Sequence, residues 1–206
     1  CPMSDFITAA DVTQYLSCPC GLYLHYHGPE EEKAEAHAFL EYLRDRGRDH
    51  EERVAAKLPH EEVPDGPLGQ RLEATLKLMR RGVERIYQPV LAAKDLLGVP
   101  DFLERVDGDS SLGAHFYHPV DVKIASSPKP EHAAQLALYA RLLEHAQGVL
   151  PSDADLILSD DSREPVDLSS AMLTLEEILP DVRATMAGLS HPPTLCTGCG
   201  MCIWGD

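Results

Sequence analysis

Basic residues are scarce in this 206-residue chain, with 18 Lys and Arg against 34 Asp and Glu and a formal charge of −16. That balance argues against a protein that coats duplex DNA by bulk attraction, because such binding rests on many phosphate contacts. It leaves room for a site whose few cations line one groove. No apolar run is long enough to span a bilayer. The opening stretch, Cys1 to Val12, lacks the basic segment and apolar core of a secretory signal, so a cytoplasmic location is expected. Internal repeats and low-complexity tracts are absent too. The chain opens on Cys1-Pro2 ahead of Met3 and stops at Asp206 just after a cysteine cluster, which reads as one module of a longer protein.

Hydrophobic content of 44% and charged content of 25% are ordinary for a globular protein, and the length suits one domain. Thr8 and Asp11 form a capping box that opens a short helix to Ser17, which Cys18-Pro19-Cys20-Gly21 breaks. From Glu30 the chain turns helical and charged, with Ala36, Phe39, Leu40 and Leu43 as an apolar stripe. Gly47 should interrupt that helix before it resumes through His50 to Lys57. A loop is expected from Pro59 to Pro67, then a helix carrying Leu72, Leu76 and Met79. Ile86 to Leu97, Val99 to Val106 and Phe116 to Ile124 read as strands, with the turn at Asp107-Gly108-Asp109 and Ser110-Ser111. A helix over Glu131 to Gln147, short strands at Ala154 to Leu158 and Glu164 to Leu168, and a helix over Ser169 to Ala187 complete the expectation.

Asp101, Asp121 and Lys123 stand out chemically. Asp121 and Lys123 are two apart, so on a strand both side chains leave the same face. Mg²⁺ takes hard oxygen ligands and keeps several waters, so one or two carboxylates plus a substrate phosphate suffice to hold it. Asp101, after Gly98-Val99-Pro100, supplies the second carboxylate if its strand neighbours that of Asp121. The Lys123 amine then orients the attacking water or offsets charge developing on the phosphate. Gln135 and Tyr139 are four apart on the following helix and share a face. His50 is a candidate further metal ligand, and Glu51 is its neighbouring competitor.

Six cysteines, Cys1, Cys18, Cys20, Cys196, Cys199 and Cys202, form the second signal. In a chain without an export signal, the C-x₂-C-x₂-C spacing of the last three reads as metal ligation before disulfides. Four thiolates suit zinc or an iron–sulfur cluster alike, and Cys20 competes with Cys18 as the N-terminal ligand.

Taken in order, Gly47…His50-Glu51, Gly98-Val99-Pro100-Asp101, Asp121-Val122-Lys123 and Gln135-Leu-Ala-Leu-Tyr139 resemble the PD-(D/E)XK nuclease superfamily. Within it the chain is similar to the RecB-like branch, which includes the CRISPR-associated four-cysteine exonucleases and a group of uncharacterised RecB-family nucleases. Ile86-Tyr87-Gln88-Pro89 is similar to that last group. The resemblance runs from Thr8 to Trp204, and Asp121 stands where Glu is commoner, as the superfamily pattern allows. It implies an α/β fold of the restriction-endonuclease type, a mixed sheet flanked by helices. A helical part over about 8–83, a catalytic core over about 84–168 and a C-terminal helix with cysteines over about 169–206 make one domain, 1–206. It further implies Mg²⁺- or Mn²⁺-dependent DNA cleavage, with His50, Asp101, Asp121 and the Val122 carbonyl as metal ligands. Lys123 would be the catalytic lysine, supported by Gln135 and Tyr139. Cys18, Cys196, Cys199 and Cys202 would hold a structural [4Fe–4S] cluster, with Zn²⁺ as the alternative. Such a clip closes nearly the whole chain, so metal binding becomes folding energy.

The expected activity is therefore metal-dependent hydrolysis of DNA, on single strands or duplex ends, in the setting of DNA repair. Further domains or a helicase-like partner would fit that role, and no membrane partner is expected. The rival is a non-catalytic module that binds DNA or a protein on the same fold, which the acidic composition favours. An electron carrier would leave the carboxylate–lysine set without use.

Overall fold

In the computed structural model, which describes residues 6–35, 37–196 and 198–204, the capping box forms as its residues predict. Asp11 N–H donates to Thr8 Oγ1 at 3.3 Å, and Thr8 N–H donates to Asp11 Oδ2 at 2.8 Å. Helix α1 (Ala9–Ser17) starts there. Cys18 ends it, and the Cys18 Sγ accepts from Gly21 N–H at 3.2 Å to open α2 (Pro19–His27). Pro19 takes the first helical position, where a missing N–H costs nothing. Cys1 and Ala36, and the chain ends around Met3 and Asp206, lie outside the described residues.

Helix α3 (Ala38–Ala55) runs unbroken through Gly47, contrary to the expected interruption. One glycine costs a helix about 1 kcal/mol, which a long helix anchored by later residues absorbs. Its apolar stripe is only partly used: Phe39 and Tyr42 are exposed, and the helix meets the core from His50 onward through Val54 and Ala55. The loop expected before α4 (Leu68–Arg80) contains a two-residue edge strand, β1 (Glu61–Glu62).

The single strand expected over Ile86 to Leu97 is three, β2 (Arg85–Tyr87), β3 (Leu91–Ala93) and β4 (Leu96–Gly98). Gln88, at φ 50°, and Pro89 stop the first, and Lys94, at φ 53°, turns β3 back along β4. β5 (Phe102–Ser110) and β6 (Gly113–Val122) form the long hairpin. Its turn is at Ser111-Leu112, the far end of the expected connection, while Asp107 to Ser110 stay in β5 with a register shift. Then follow α5 (Pro130–Gln147), β7 (Asp153–Ile157), β8 (Arg163–Asp167) and α6 (Ser169–Met186).

Six strands make one mixed sheet in the order β1-β2-β5-β6-β7-β8, with β3 and β4 as a separate hairpin. β1/β2 and β6/β7 pair in parallel, and α5 carries the chain across between β6 and β7. Alternation along the strands gives the sheet two apolar faces. Ile86, Leu103, Tyr117 and Leu156 share one core with α5, which is buried nearly all round because α1, α6, β6 and the small hairpin enclose it. On the opposite face Phe102, Val120, Val122 and Ile157 pack on Val54 and Ala55 of α3. The result is an α/β architecture with helices on both sides of a mixed sheet. No helix among the described residues is long and apolar enough to cross a membrane.

β7 pairs with β6 only over Val120–Val122, so the earlier part of β6 lacks a strand on that side. Gln147, fully buried at the end of α5, takes the strand's place. Its Oε1 accepts from Tyr117 N–H at 2.7 Å, and its Nε2 donates to the Tyr117 carbonyl at 2.9 Å. Gln147→Leu keeps the bulk but strands both backbone groups, which should cost about 2–4 kcal/mol. Urea denaturation measures it; a loss below about 0.5 kcal/mol contradicts this account of the β6 edge.

Candidate active site

Asp101 lies in the turn between β4 and β5, and Asp121 and Lys123 at the end of β6. What joins them is a hydrogen bond: Val122 N–H donates to Asp101 Oδ2 at 2.6 Å. On the other side of the turn, Gln88 N–H donates to the Asp101 carbonyl at 2.9 Å, which sets the residue against the end of β2. Asp121 is 1% exposed, and its Oδ2 lies 2.5 Å from Lys123 Nζ. No donor among the described residues is well aimed at that oxygen. Asp101, Asp121, Val122 and Lys123 form the floor of an open cleft of about 730 Å³. Glu51, Arg44 and Arg48 of α3 form one wall, and Gln135 of α5 lies on the other side.

Tyr139 is tied to the same wall. Its hydroxyl donates to the Val99 carbonyl at 3.3 Å and accepts from Gln135 Nε2 at 2.8 Å. The ring passes over Gly98, where a Cβ would come within 2.7 Å of Tyr139 Cδ1 and Leu142 Cδ1. Only glycine lets the β4 end approach α5 so closely. Burial and the Asp121 carboxylate push the Tyr139 phenol well above its ordinary range, so it stays an O–H donor.

Burial and the neighbouring Asp121 and Glu51 charges likewise hold the Asp101 carboxyl well above the usual carboxylate range. For Lys123, burial alone would favour the neutral amine. Asp121, Asp101 and Glu51 together outweigh it and hold the ammonium above its usual value. The cleft thus carries three crowded carboxylates and one fixed cation. Crowding of that kind favours a further cation.

His50 does not join this group, although its neighbour does. Its ring, 3% exposed, donates from Nε2 to the Leu158 carbonyl at 2.9 Å, and Nδ1 accepts from Arg53 Nη2 at 2.6 Å. It clips α3 to the end of β7. Successive helical residues point about 100° apart, so once His50 faces the core Glu51 faces the cleft. Glu51 Oε1 accepts from Tyr87 Oη at 2.9 Å and from Gln88 Nε2. The sequence identified the pair; only packing chose between them. Arg44 and Arg48 were not singled out, and a charged helix offers no signal for them without knowledge of which face is covered; Tyr87 and Gln88 entered only as part of the resemblance, without a role.

The cysteines gather at the other end of α1. Cys18, Cys20 and Cys196 line a recess of about 460 Å³. Cys196 Sγ and Cys199 Sγ are 3.5 Å apart, and the Cys196 N–H donates to Cys199 Sγ at 3.1 Å. Burial, with the adjacent Cys18 and Cys202 thiols, raises the Cys20 thiol. The tail is held by Ala34 N–H donating to the Ile203 carbonyl at 2.8 Å. Trp204 lies so close over Gly28 that a Cβ there would meet its ring at 2.7 Å. The chain's two ends therefore deliver their thiols to one region. Among the described residues they do not form a closed zinc cage, whose sulfurs would stand about 3.8 Å apart given a Zn–S bond near 2.3 Å. No three described cysteine sulfurs lie within 4.8 Å of one another.

The one trio of metal-type ligand atoms within 4.8 Å among the described residues is elsewhere, at Glu104, His118 and Asp155 on the open part of the sheet. Arg163 Nη2 lies 2.5 Å from Glu104 Oε2 and 2.6 Å from Asp155 Oδ2, so a guanidinium already holds the place a cation would take. Arg85 closes the other side of Glu104 at 2.6 Å. This is an ion-pair network across neighbouring strands, legible only once their register is known.

No family model matches the chain, and no curated protein does. Among solved structures, that of the protein SSO0001 is similar, at 12% identity and a TM-score of 0.41, covering 97% of this chain and 84% of that one. That likeness names neither a fold family nor an activity.

Because the Asp101 carboxyl is raised, ionising it costs more in the folded protein than in the unfolded chain, and stability falls as pH rises through its folded value. Asp101→Asn keeps an acceptor for Val122 N–H and removes the charge. Without divalent metal, the variant should melt higher than wild type at pH 8. The gap should close toward about pH 4, where the unfolded carboxyl itself protonates. Scanning calorimetry across that range checks the sign; a variant that melts lower at pH 8 refutes the repulsion.

Proposed function

We propose that this chain is a divalent-metal-dependent nuclease module of the PD-(D/E)XK type, in its RecB-like branch, that hydrolyses phosphodiester bonds in DNA with water as nucleophile. The observation that carries the reading is the convergence of Glu51, Asp101, Asp121 and Lys123 on one open cleft. Asp101, Asp121 and Lys123 are residues on which the resemblance rests, and Glu51 is the neighbour of the His50 that it implies.

The donor set fits Mg²⁺ or Mn²⁺, because it is made of hard carboxylate oxygens, with Asp121 Oδ2 held by the Lys123 ammonium. Asp101, Asp121 and Glu51 would hold the ion, with the Val122 carbonyl as a further oxygen. Its chemistry there is Lewis-acid stabilisation of charge on the phosphate. Lys123, kept protonated by its acidic neighbours, is a cation and not a base, so it hydrogen-bonds the phosphate or steers the water. Gln135, ordered by the Tyr139 hydroxyl, presents an amide to the sugar–phosphate. Arg44 and Arg48 on the facing wall, the latter paired with Asp45, would meet neighbouring phosphates where the strand runs. Cys18, Cys196, Cys199 and Cys202 are the proposed ligands of a structural [4Fe–4S] cluster, with Cys20 as an alternative thiol and Zn²⁺ as the alternative metal.

Purified anaerobically, the protein should be brown and carry iron; a colourless, zinc-containing protein favours the alternative. It should cut single-stranded DNA or duplex ends in Mn²⁺ and not in EDTA. Asp121→Ala and Lys123→Ala should each lower the rate by at least about 100-fold with unchanged circular dichroism. If metal-loaded wild type cuts no DNA, the binding-module reading takes over.

A further inference from the structure

Gln88 holds a backbone conformation that two preferences oppose. Its φ of 50° lies in the left-handed region, which costs a residue with a Cβ about 1–2 kcal/mol. Pro89 follows it, and a residue before proline favours extended backbone. Three hydrogen bonds keep it there. Gln88 N–H donates to the Asp101 carbonyl, Arg71 Nη2 donates to the Gln88 carbonyl at 3.0 Å, and Gln88 Nε2 donates to Glu51 Oε1.

The conformation has a geometric consequence. Successive residues on a strand point to opposite faces, so a regular continuation of β2 would send Tyr87 and Gln88 apart. The left-handed residue swings Gln88 back, and both side chains reach the same oxygen of Glu51. Tyr87 is itself held by rings, lying 5.1 Å from Phe102 and 5.0 Å from His60 between centroids. Glu51 Oε1 is thereby doubly occupied, while Oε2 accepts no hydrogen bond among the described residues. Glu51 lines the cleft beside Asp101 and Asp121.

We propose that Tyr87 and Gln88 are positioning residues whose two donors fix the Glu51 carboxylate, committing Oε1 to the scaffold and leaving Oε2 as the third acidic arm for a divalent cation. The backbone strain at Gln88 exists to aim its amide. This rests on the reading of the cleft as a metal-dependent centre and assigns that centre's outer support.

Gln88→Gly separates the two roles, since glycine accepts the left-handed backbone without strain but lacks the amide. Tyr87→Phe removes one O–H. The Gly variant should melt no lower than wild type, yet bind Mn²⁺ about tenfold more weakly by titration calorimetry, and Tyr87→Phe should weaken Mn²⁺ in the same direction. The Mn²⁺ concentration for half-maximal DNA cleavage should rise in step, with the rate at saturating Mn²⁺ largely kept. Unchanged Mn²⁺ affinity in both variants overturns the proposal, whatever their stability. Wild type that binds Mn²⁺ but cleaves nothing defeats the nuclease reading alone, and calorimetry on the variants still decides the positioning claim. Wild type that binds no Mn²⁺ overturns both.

Discussion

The 2.6 Å hydrogen bond from Val122 N–H to Asp101 Oδ2 is the constraint on which the site depends. It ties a turn that precedes β5 to the last residue of β6, and so sets two acidic side chains from separate segments against one another. Without a partner for the repulsion, such a pairing is unfavourable. It persists because both flanks are packed: Phe102 and Val120 share a core with Val54 and Ala55 of α3, and Leu103 and Tyr117 belong to the core built around α5. Folding energy from two apolar faces thus holds a small, electrostatically strained cleft open at the sheet's end. Gly98 contributes by omission, since any side chain there would push Tyr139 and the β4 end away from the floor.

Charge is distributed to the same purpose. The chain as a whole is strongly acidic, and this cleft is bordered by Lys123, Arg44 and Arg48 together with Glu41 and Asp45, the last paired with Arg48. The opposite, open part of the sheet settles its acids internally through Arg85 and Arg163. The two acidic clusters therefore differ in kind. At Glu104 and Asp155 the protein supplies its own cations, whereas at Asp101, Asp121 and Glu51 one lysine faces three carboxylates. A cluster left short of positive charge is the one suited to an exchangeable ion and an anionic substrate.

Much of the frame was legible in the residues. Thr8 and Asp11 announced α1, the helix expected over Glu131 to Gln147 forms as α5, and the Asp121–Lys123 spacing put both on one strand face. The failures have local causes. Gly47 predicts a break because propensity carries no tertiary support, and the adjacent His50 and Glu51 cannot be ranked before the buried face of the helix is known. Ile86 to Leu97 looked like one strand because nothing in a glutamine signals left-handed backbone. The left-handed Gln88 that ends β2 is also the residue whose amide reaches Glu51, so the strain and the cleft meet at one position.

The central claim is that one divalent ion belongs among these three carboxylates. Crystals grown with Mn²⁺ and measured for anomalous scattering test it most directly. The account predicts a strong peak in the cleft bounded by Asp101, Asp121 and Glu51, beside the Lys123 ammonium. A map with no peak there, or with its manganese at Glu104, His118 and Asp155 instead, would contradict it.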